Sequence, residues 1–234
     1  MIGEPVEKYL PLVIGNDSHA DADFTSALVL GQATEGGVRI VGRLAFPTQP
    51  ARGPEHTLDR PLVGASDSAG EIGHVRMAPG GAVGYGKAGS FEGFCSGSGI
   101  SRLAAQEVRA AWSRGETVGS WAGEEELRLL DVQRLAEAAR AGDTIAKRVF
   151  ATSGRHLGYG LAILIDVLNP QAIVIGSIFG RCTDLLWAPA SQVLRDEALP
   201  AAPACCQVVP AALGESIGDY AALAAARHGW RGSA

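Results

Sequence analysis

Three side chains able to grip a hydroxylated ligand lie close together in a glycine-rich stretch. Glu71 and His74 sit in Ala69-Gly70-Glu71-Ile72-Gly73-His74. Glu92 follows in Gly84-Tyr85-Gly86-Lys87-Ala88-Gly89-Ser90-Phe91-Glu92-Gly93. Two carboxylates and an imidazole supply both acceptors and donors. The glycines let the backbone turn sharply and come close to a ligand. Such a set suits a molecule that carries several hydroxyl groups. The competing readings are two surface turns with solvated charges or, for His74, a buried structural histidine that bridges backbone groups.

The order AGEIGH, glycine loop, FEG resembles the ROK family of sugar kinases and repressors. In that family the block runs roughly Gly-Glu-x-Gly-His, a spacer, then Cys-x-Cys-Gly-x-x-Gly-Cys-x-Glu. This chain keeps Glu71, His74 and Glu92 and departs at all three cysteines, where it has Val83, Tyr85 and Ser90. Family members use those thiolates with the histidine to hold a structural zinc. Zinc takes four N, S or O ligands and valine offers none, so the expectation is no zinc and no other metal ligands here. The resemblance implies that Glu71, His74 and Glu92 hydrogen-bond sugar hydroxyls. It implies an α/β chain of the actin-like ATPase (ribonuclease H-like) fold, with an incomplete N-terminal lobe. The implied activity is ATP-dependent phosphorylation of a hexose, glucokinase-like, with ATP and Mg2+ as cofactors. The alternative is a catalytically inactive sugar-binding or interaction protein on the same scaffold.

The nucleotide side is less complete. In the family the first strand ends in Asp-x-Gly-x-Thr, a loop facing the ATP phosphates. The matching stretch here, residues 17–25, keeps Asp17 but lacks the glycines and has gained carboxylates. A phosphate cradle relies on free backbone N–H groups and tolerates little negative charge. Sequence resembling a far-downstream part of the family begins directly after Pro61. The Asn-Asp pair that carries the family's catalytic base, and its Gly-Thr-Gly loop, do not occur between Pro47 and Gly70. A second alignment makes Asn16-Asp17 that Asn-Asp pair, the chain then being a C-terminal lobe. Asp17 is the surviving catalytic candidate under both, or else a turn or cap aspartate. Gly176 and Ser177 fall where the family's backbone passes the nucleotide, Ser177 replacing the usual second glycine. The competing reading there is an ordinary strand-to-helix turn. Domains are expected at 1–60, a partial phosphate-side lobe, and 61–234, the lobe with the sugar and nucleotide edges.

The 234 residues are 47% hydrophobic, enough for one large core or two small ones, and the net charge is −5. With no basic run, nucleic acid is not an expected partner. No helix-turn-helix precedes the family-like region, which disfavours the repressor branch. Residues 157–168 are too short and too mixed to span a bilayer. The first residues lack a leader pattern, so a cytoplasmic location is expected, with a homodimer as the simplest assembly. Cys95, Cys182, Cys205 and Cys206 show no CxxC spacing and read as reduced thiols.

These residues need a scaffold, and the pattern supplies one. Strands are expected at 10–15, 24–30 and 38–46, the last two joined by Glu35-Gly36-Gly37. Residues 57–60 have helical character. Apolar spacing predicts helices over 100–112 and 131–141, with Asp131 as N-cap. A long helix starts at Asp143 and ends at Asn169-Pro170, because a residue before proline avoids the helical region. Ala172–Ile175 reads as a strand, 183–198 as a helix, Gln207–Pro210 as a strand and 217–227 as a closing helix. The polar stretch 115–126 reads as a connection, with Glu124-Glu125-Glu126 a solvated face or helix start rather than a metal site. Asp219 reads as a first-turn carboxylate.

Overall fold

The computed structural model describes the backbone of residues 28–34 and 37–44, and residues 70–212 apart from 117, 120, 122 and 171. The described elements run β1 (Leu28–Thr34), β2 (Gly37–Leu44), a 3-10 turn (Ile72–His74), β3 (Val83–Gly84), β4 (Lys87–Ala88), α1 (Phe91–Cys95), α2 (Gly97–Ser113), α3 (Glu124–Arg128), α4 (Val132–Arg140), α5 (Thr144–Leu168), β5 (Ala172–Ile175), α6 (Ile178–Glu197), α7 (Ala202–Cys205) and β6 (Gln207–Pro210). The expected elements at 10–15, 57–60 and 217–227 lie outside the described residues, as do Asp17 and Asp219. The described chain divides into two compact units. One holds β1, β2, Leu168–Arg181 and 201–212; the other holds Ile72–Val167 and Cys182–Pro200.

The first unit is built on a four-stranded sheet ordered β2-β1-β5-β6. β1 pairs antiparallel with β2, from Leu28 opposite Leu44 to Thr34 opposite Gly37. The first strand of this hairpin runs four residues past the expected end at Leu30. Gly31 and Gln32 break its apolar run, but the backbone ladder continues through them. A register shift between Leu30 and Gly31 pairs Leu30 with Gly42 and Gly31 with Ile40. Val41 is the extra residue of the resulting bulge. β5 pairs antiparallel with β1 and parallel with β6. Both strands have the ends expected from sequence. Ile173, Ile175, Val208 and Val209 are buried.

The second unit is helical. α5 supplies much of its core, with Val149, Phe150, Leu161 and Ile165 nearly inaccessible beside Ile100, Val108 and Leu135. Gly154 and Gly158 let α6 approach: a Cβ on Gly154 would stand 2.5 Å from Pro189 Cγ, and one on Gly158 2.7 Å from Val193 Cβ. Glycine inside a helix costs roughly 1 kcal/mol against alanine; here it opens a seat for the neighbouring helix. Asp131 caps α4 by accepting from Arg134 N at 2.8 Å, as its position suggested. Asp143 accepts from Ala146 N at 2.8 Å at the start of α5. α5 stops at Asn169, whose φ of 43° is left-handed. Asparagine tolerates that conformation and commonly ends helices there. α6 departs from helical geometry at Cys182, not at Pro189. Two bidentate ion pairs join helices, Arg109 to Glu124 at 2.9 and 2.7 Å and Arg140 to Asp184 at 2.8 and 2.8 Å.

The polar connection 115–126 is a partial correction. Val118 and Trp121 within it are buried, and Trp112 Nε1 donates to the Trp121 carbonyl at 3.1 Å. Two isolated apolar residues carry no period, so the pattern hid a small core. Among the described residues, no helix is long and apolar enough to cross a membrane.

Candidate functional site

His74 and Glu92 are brought together by backbone. Phe91 N donates to Val75 O at 2.8 Å, and Met77 N to Gly89 O at 2.8 Å. Arg76 and Ser90 form an antiparallel bridge. His74 closes the 3-10 turn on one side of this short pairing, and Glu92 stands in the first turn of α1 on the other. The His74 side is exposed and Glu92 is half-buried. An exposed imidazole does not fit the buried-histidine reading. Glu71, half-buried, directly precedes the same turn.

Two serines fix the helix that carries Glu92. Ser90 is fully buried and accepts from Gly93 N at 3.1 Å, capping α1. Ser96 accepts from Gly99 N at 3.0 Å, capping α2. The glycines between them are packing requirements. A Cβ on Gly93 would meet the Ala82 carbonyl, and one on Gly99 the carbonyls of Gly93 and Glu92. Loop 78–84, α1 and the start of α2 thus stack backbone on backbone. From the other side α5 receives α1. Phe91 fills the space over Gly160, where a Cβ would stand 2.6 Å from Phe91 Cζ. The Phe94 and His156 rings stack with centroids 3.5 Å apart. His156 Nδ1 lies 2.8 Å from Thr152 O, and burial pushes the pKa of its imidazole below the ordinary value. Cys95, on α1, places Sγ 3.7 Å from Ser153 O, and burial pushes its thiol far above the ordinary range.

The sequence marks Ser90 only as a replaced cysteine and Phe91 only as part of FEG, and it does not single out Phe94 or His156. The Ser-x-x-Gly spacing repeated at 90–93 and 96–99 was the available signal for the caps. The seat on α5 has no local signal.

The positions that resemble zinc ligands do not fit the metal. Val83 and Tyr85 are exposed, and Tyr85 holds φ at 45°. Ser90 Oγ is committed to Gly93 N and also lies 3.4 Å from Gly84 O, to which it donates. Among the described residues, no group of three or more His, Cys, Asp or Glu could hold a metal ion.

Gly176 and Ser177 follow β5 in the other compact unit. Ser177 takes a left-handed φ of 54°, a conformation glycine adopts without strain. Ser177 O accepts from Arg181 N at 3.4 Å, and its Oγ from Arg181 Nη2 at 3.4 Å.

The sequence profile of the ROK family matches residues 59–228. The chain is 35% identical over 144 residues to the DNA-binding transcriptional repressor Mlc of Escherichia coli K12, covering 60% of this chain and 32% of Mlc. It is 32% identical over 141 residues to a glucokinase of Halalkalibacterium halodurans, covering 59% of this chain and 42% of that enzyme. Among solved structures, a ROK family glucokinase from Streptomyces griseus in complex with glucose and AMPPNP superposes with a TM-score of 0.50 at 30% identity, over 64% of this chain and 48% of that one. The chain thus spans between a third and a half of the length of these relatives. Its fold is the actin-like ATPase fold of those sugar kinases.

Proposed function

Because the chain belongs to the ROK family, with the family profile extending over residues 59–228, we propose that it is a sugar kinase homologue of glucokinase-like type that binds a hexose through Glu71, His74 and Glu92. The observation that carries this reading is the backbone pairing of Val75 with Phe91. It joins the backbone next to His74, which is exposed, to the backbone next to Glu92, which is half-buried, at positions that resemble the family's sugar ligands.

Neighbouring hydroxyls of a hexose present donors and acceptors a few ångströms apart. Glu92 accepts from one hydroxyl, and His74 accepts from or donates to the next according to its tautomer. Glu71, three residues ahead of His74, adds a second acceptor. Charged acceptors form the stronger hydrogen bonds, and the capped α1 holds Glu92 in place before the sugar arrives. In this reading the Gly176-Ser177 turn borders ATP, which supplies the phosphoryl group when bound. Asp17 would serve as base toward the accepting hydroxyl, or would hold the magnesium that accompanies the nucleotide. The protein then acts in the cytoplasm on a small sugar, with a second copy as its expected partner.

A second reading is a sugar-binding protein without turnover. Two observations favour it: the 35% identity to Mlc, named as a repressor, and the absence of Asn-Asp and Gly-Thr-Gly between Pro47 and Gly70. The deciding experiment follows ADP release with ATP, magnesium and a panel of hexoses, for the wild type and for Glu71→Ala and Asp17→Ala. Sugar-dependent release lost in both variants supports the kinase. Sugar binding by a folded protein with no release supports the second reading.

A further inference from the structure

We propose that Lys87, Arg76 and Ser90 are positioning residues that hold the His74–Glu92 pair in place without a metal. The inference rests on the reading of that pair as a sugar site. In the family resemblance, a zinc would tie positions 83, 85 and 90 to His74. None of the first three fits a metal here, as shown above. The same three stretches of chain are nevertheless fastened to one another by protein atoms.

Lys87, on β4, donates from Nζ to the backbone carbonyl of His74 at 2.7 Å. Arg76, two residues past His74, donates from Nη1 to the backbone carbonyl of Ala88 at 2.7 Å. The two cations thus cross between the same two segments in opposite directions. Ser90 Oγ adds the third tie, to Gly93 N and Gly84 O. Hydrogen bonds with an ionised donor are shorter and stronger than neutral ones. Two of them flank the Phe91 N to Val75 O bond that aligns His74 with Glu92. The geometry also serves the ligand. Lys87 engages the main-chain carbonyl of His74 and not its side chain, and His74 is exposed.

The test compares wild type, Lys87→Met, Lys87→Arg and Arg76→Leu in the full chain. It measures hydrogen exchange at the Phe91 and Met77 amides, hexose affinity by calorimetry, and zinc content before and after dialysis against a chelator. Lys87→Met is expected to speed exchange at both amides about threefold and to weaken hexose binding by a similar factor. Lys87→Arg is expected to restore both, since a guanidinium can reach the same carbonyl, and the chelator to change neither. Arg76→Leu should act as Lys87→Met does, and serves if that variant does not fold. Unchanged exchange in Lys87→Met and Arg76→Leu would overturn the proposal. So would stoichiometric zinc whose removal frees the two amides. If no hexose binds the wild type while exchange responds as expected, the metal-free fastening stands and the sugar-site reading falls.

Discussion

The Phe91 amide donates to the Val75 carbonyl at 2.8 Å, and through this bond the chain sets Glu92 beside His74. Val75 follows His74 and Phe91 precedes Glu92, so the backbone at these two candidate residues separates only if the pairing opens. Everything around it serves that alignment: two serine caps, close-packed glycines and the aromatic seat on α5.

Ser90→Ala tests the cap. The hydroxyl is buried and satisfies Gly93 N. Loss of a serine N-cap costs about 1 kcal/mol, and a shift of about 2–4 °C in melting temperature is expected for a chain of this size. Calorimetry of the variant checks it. A melting temperature equal to wild type would mean that α1 needs no cap.

Gly158→Ala tests the seat of α6 on α5. The new Cβ would stand 2.5 Å from the Ala190 carbonyl oxygen, and overpacking against backbone costs about 1–3 kcal/mol. Gly180→Ala is the control, with no described atom within 4 Å. There the helix preference for alanine predicts a gain of about 0.5–1 kcal/mol. Urea denaturation of the two variants should move the midpoint in opposite directions.

Much of this scaffold was legible in the sequence. Both strands of the parallel pair, the end of α5 and the Asp131 cap follow from local chemistry: short apolar runs, an Asn-Pro stop and a capping aspartate. What was hidden depends on partners distant in the chain. Gly97-Ser98-Gly99 reads as loop by propensity, yet begins α2, because Ser96 caps it and Gly99 packs on the Gly93 carbonyl. The Phe94–His156 stack joins two helices with no shared pattern. Of the candidate site, Glu71, His74 and Glu92 are singled out by the family resemblance of the AGEIGH and FEG motifs. Lys87 and Arg76 are not, since a lone cation in a polar loop gives no sign of which carbonyl it will reach.

Ser177→Gly and Ser177→Val probe the nucleotide-side turn. The left-handed φ of 54° costs a β-branched residue about 1–2 kcal/mol and glycine nothing. Ser177→Gly should keep wild-type stability within about 1 kcal/mol, and Ser177→Val should fall below it. Equal loss in both would show that the serine hydroxyl, and not the backbone form, matters at this turn.

His156 makes stability depend on pH. Burial lowers its pKa in the folded chain below the ordinary value of 6.5. As pH falls, the unfolded chain binds the proton first. This part of stability is therefore whole above 6.5 and is lost as pH drops through the lower folded value. His156→Phe keeps a ring against Phe94 and removes the titration. Between pH 7.5 and about 5, wild type should lose more melting temperature than the variant. Parallel profiles would show that the imidazole binds its proton as well in the folded chain as in the unfolded one.

The most direct test of the account is a calorimetric titration of glucose, mannose, fructose and N-acetylglucosamine into wild type and Glu92→Gln. The account predicts that at least one of these sugars binds wild type. It also predicts that folded Glu92→Gln binds it about tenfold more weakly or worse, the loss expected for one charged hydrogen bond. Equal affinity in the two proteins, or no binding of any of the four to folded wild type, would contradict it.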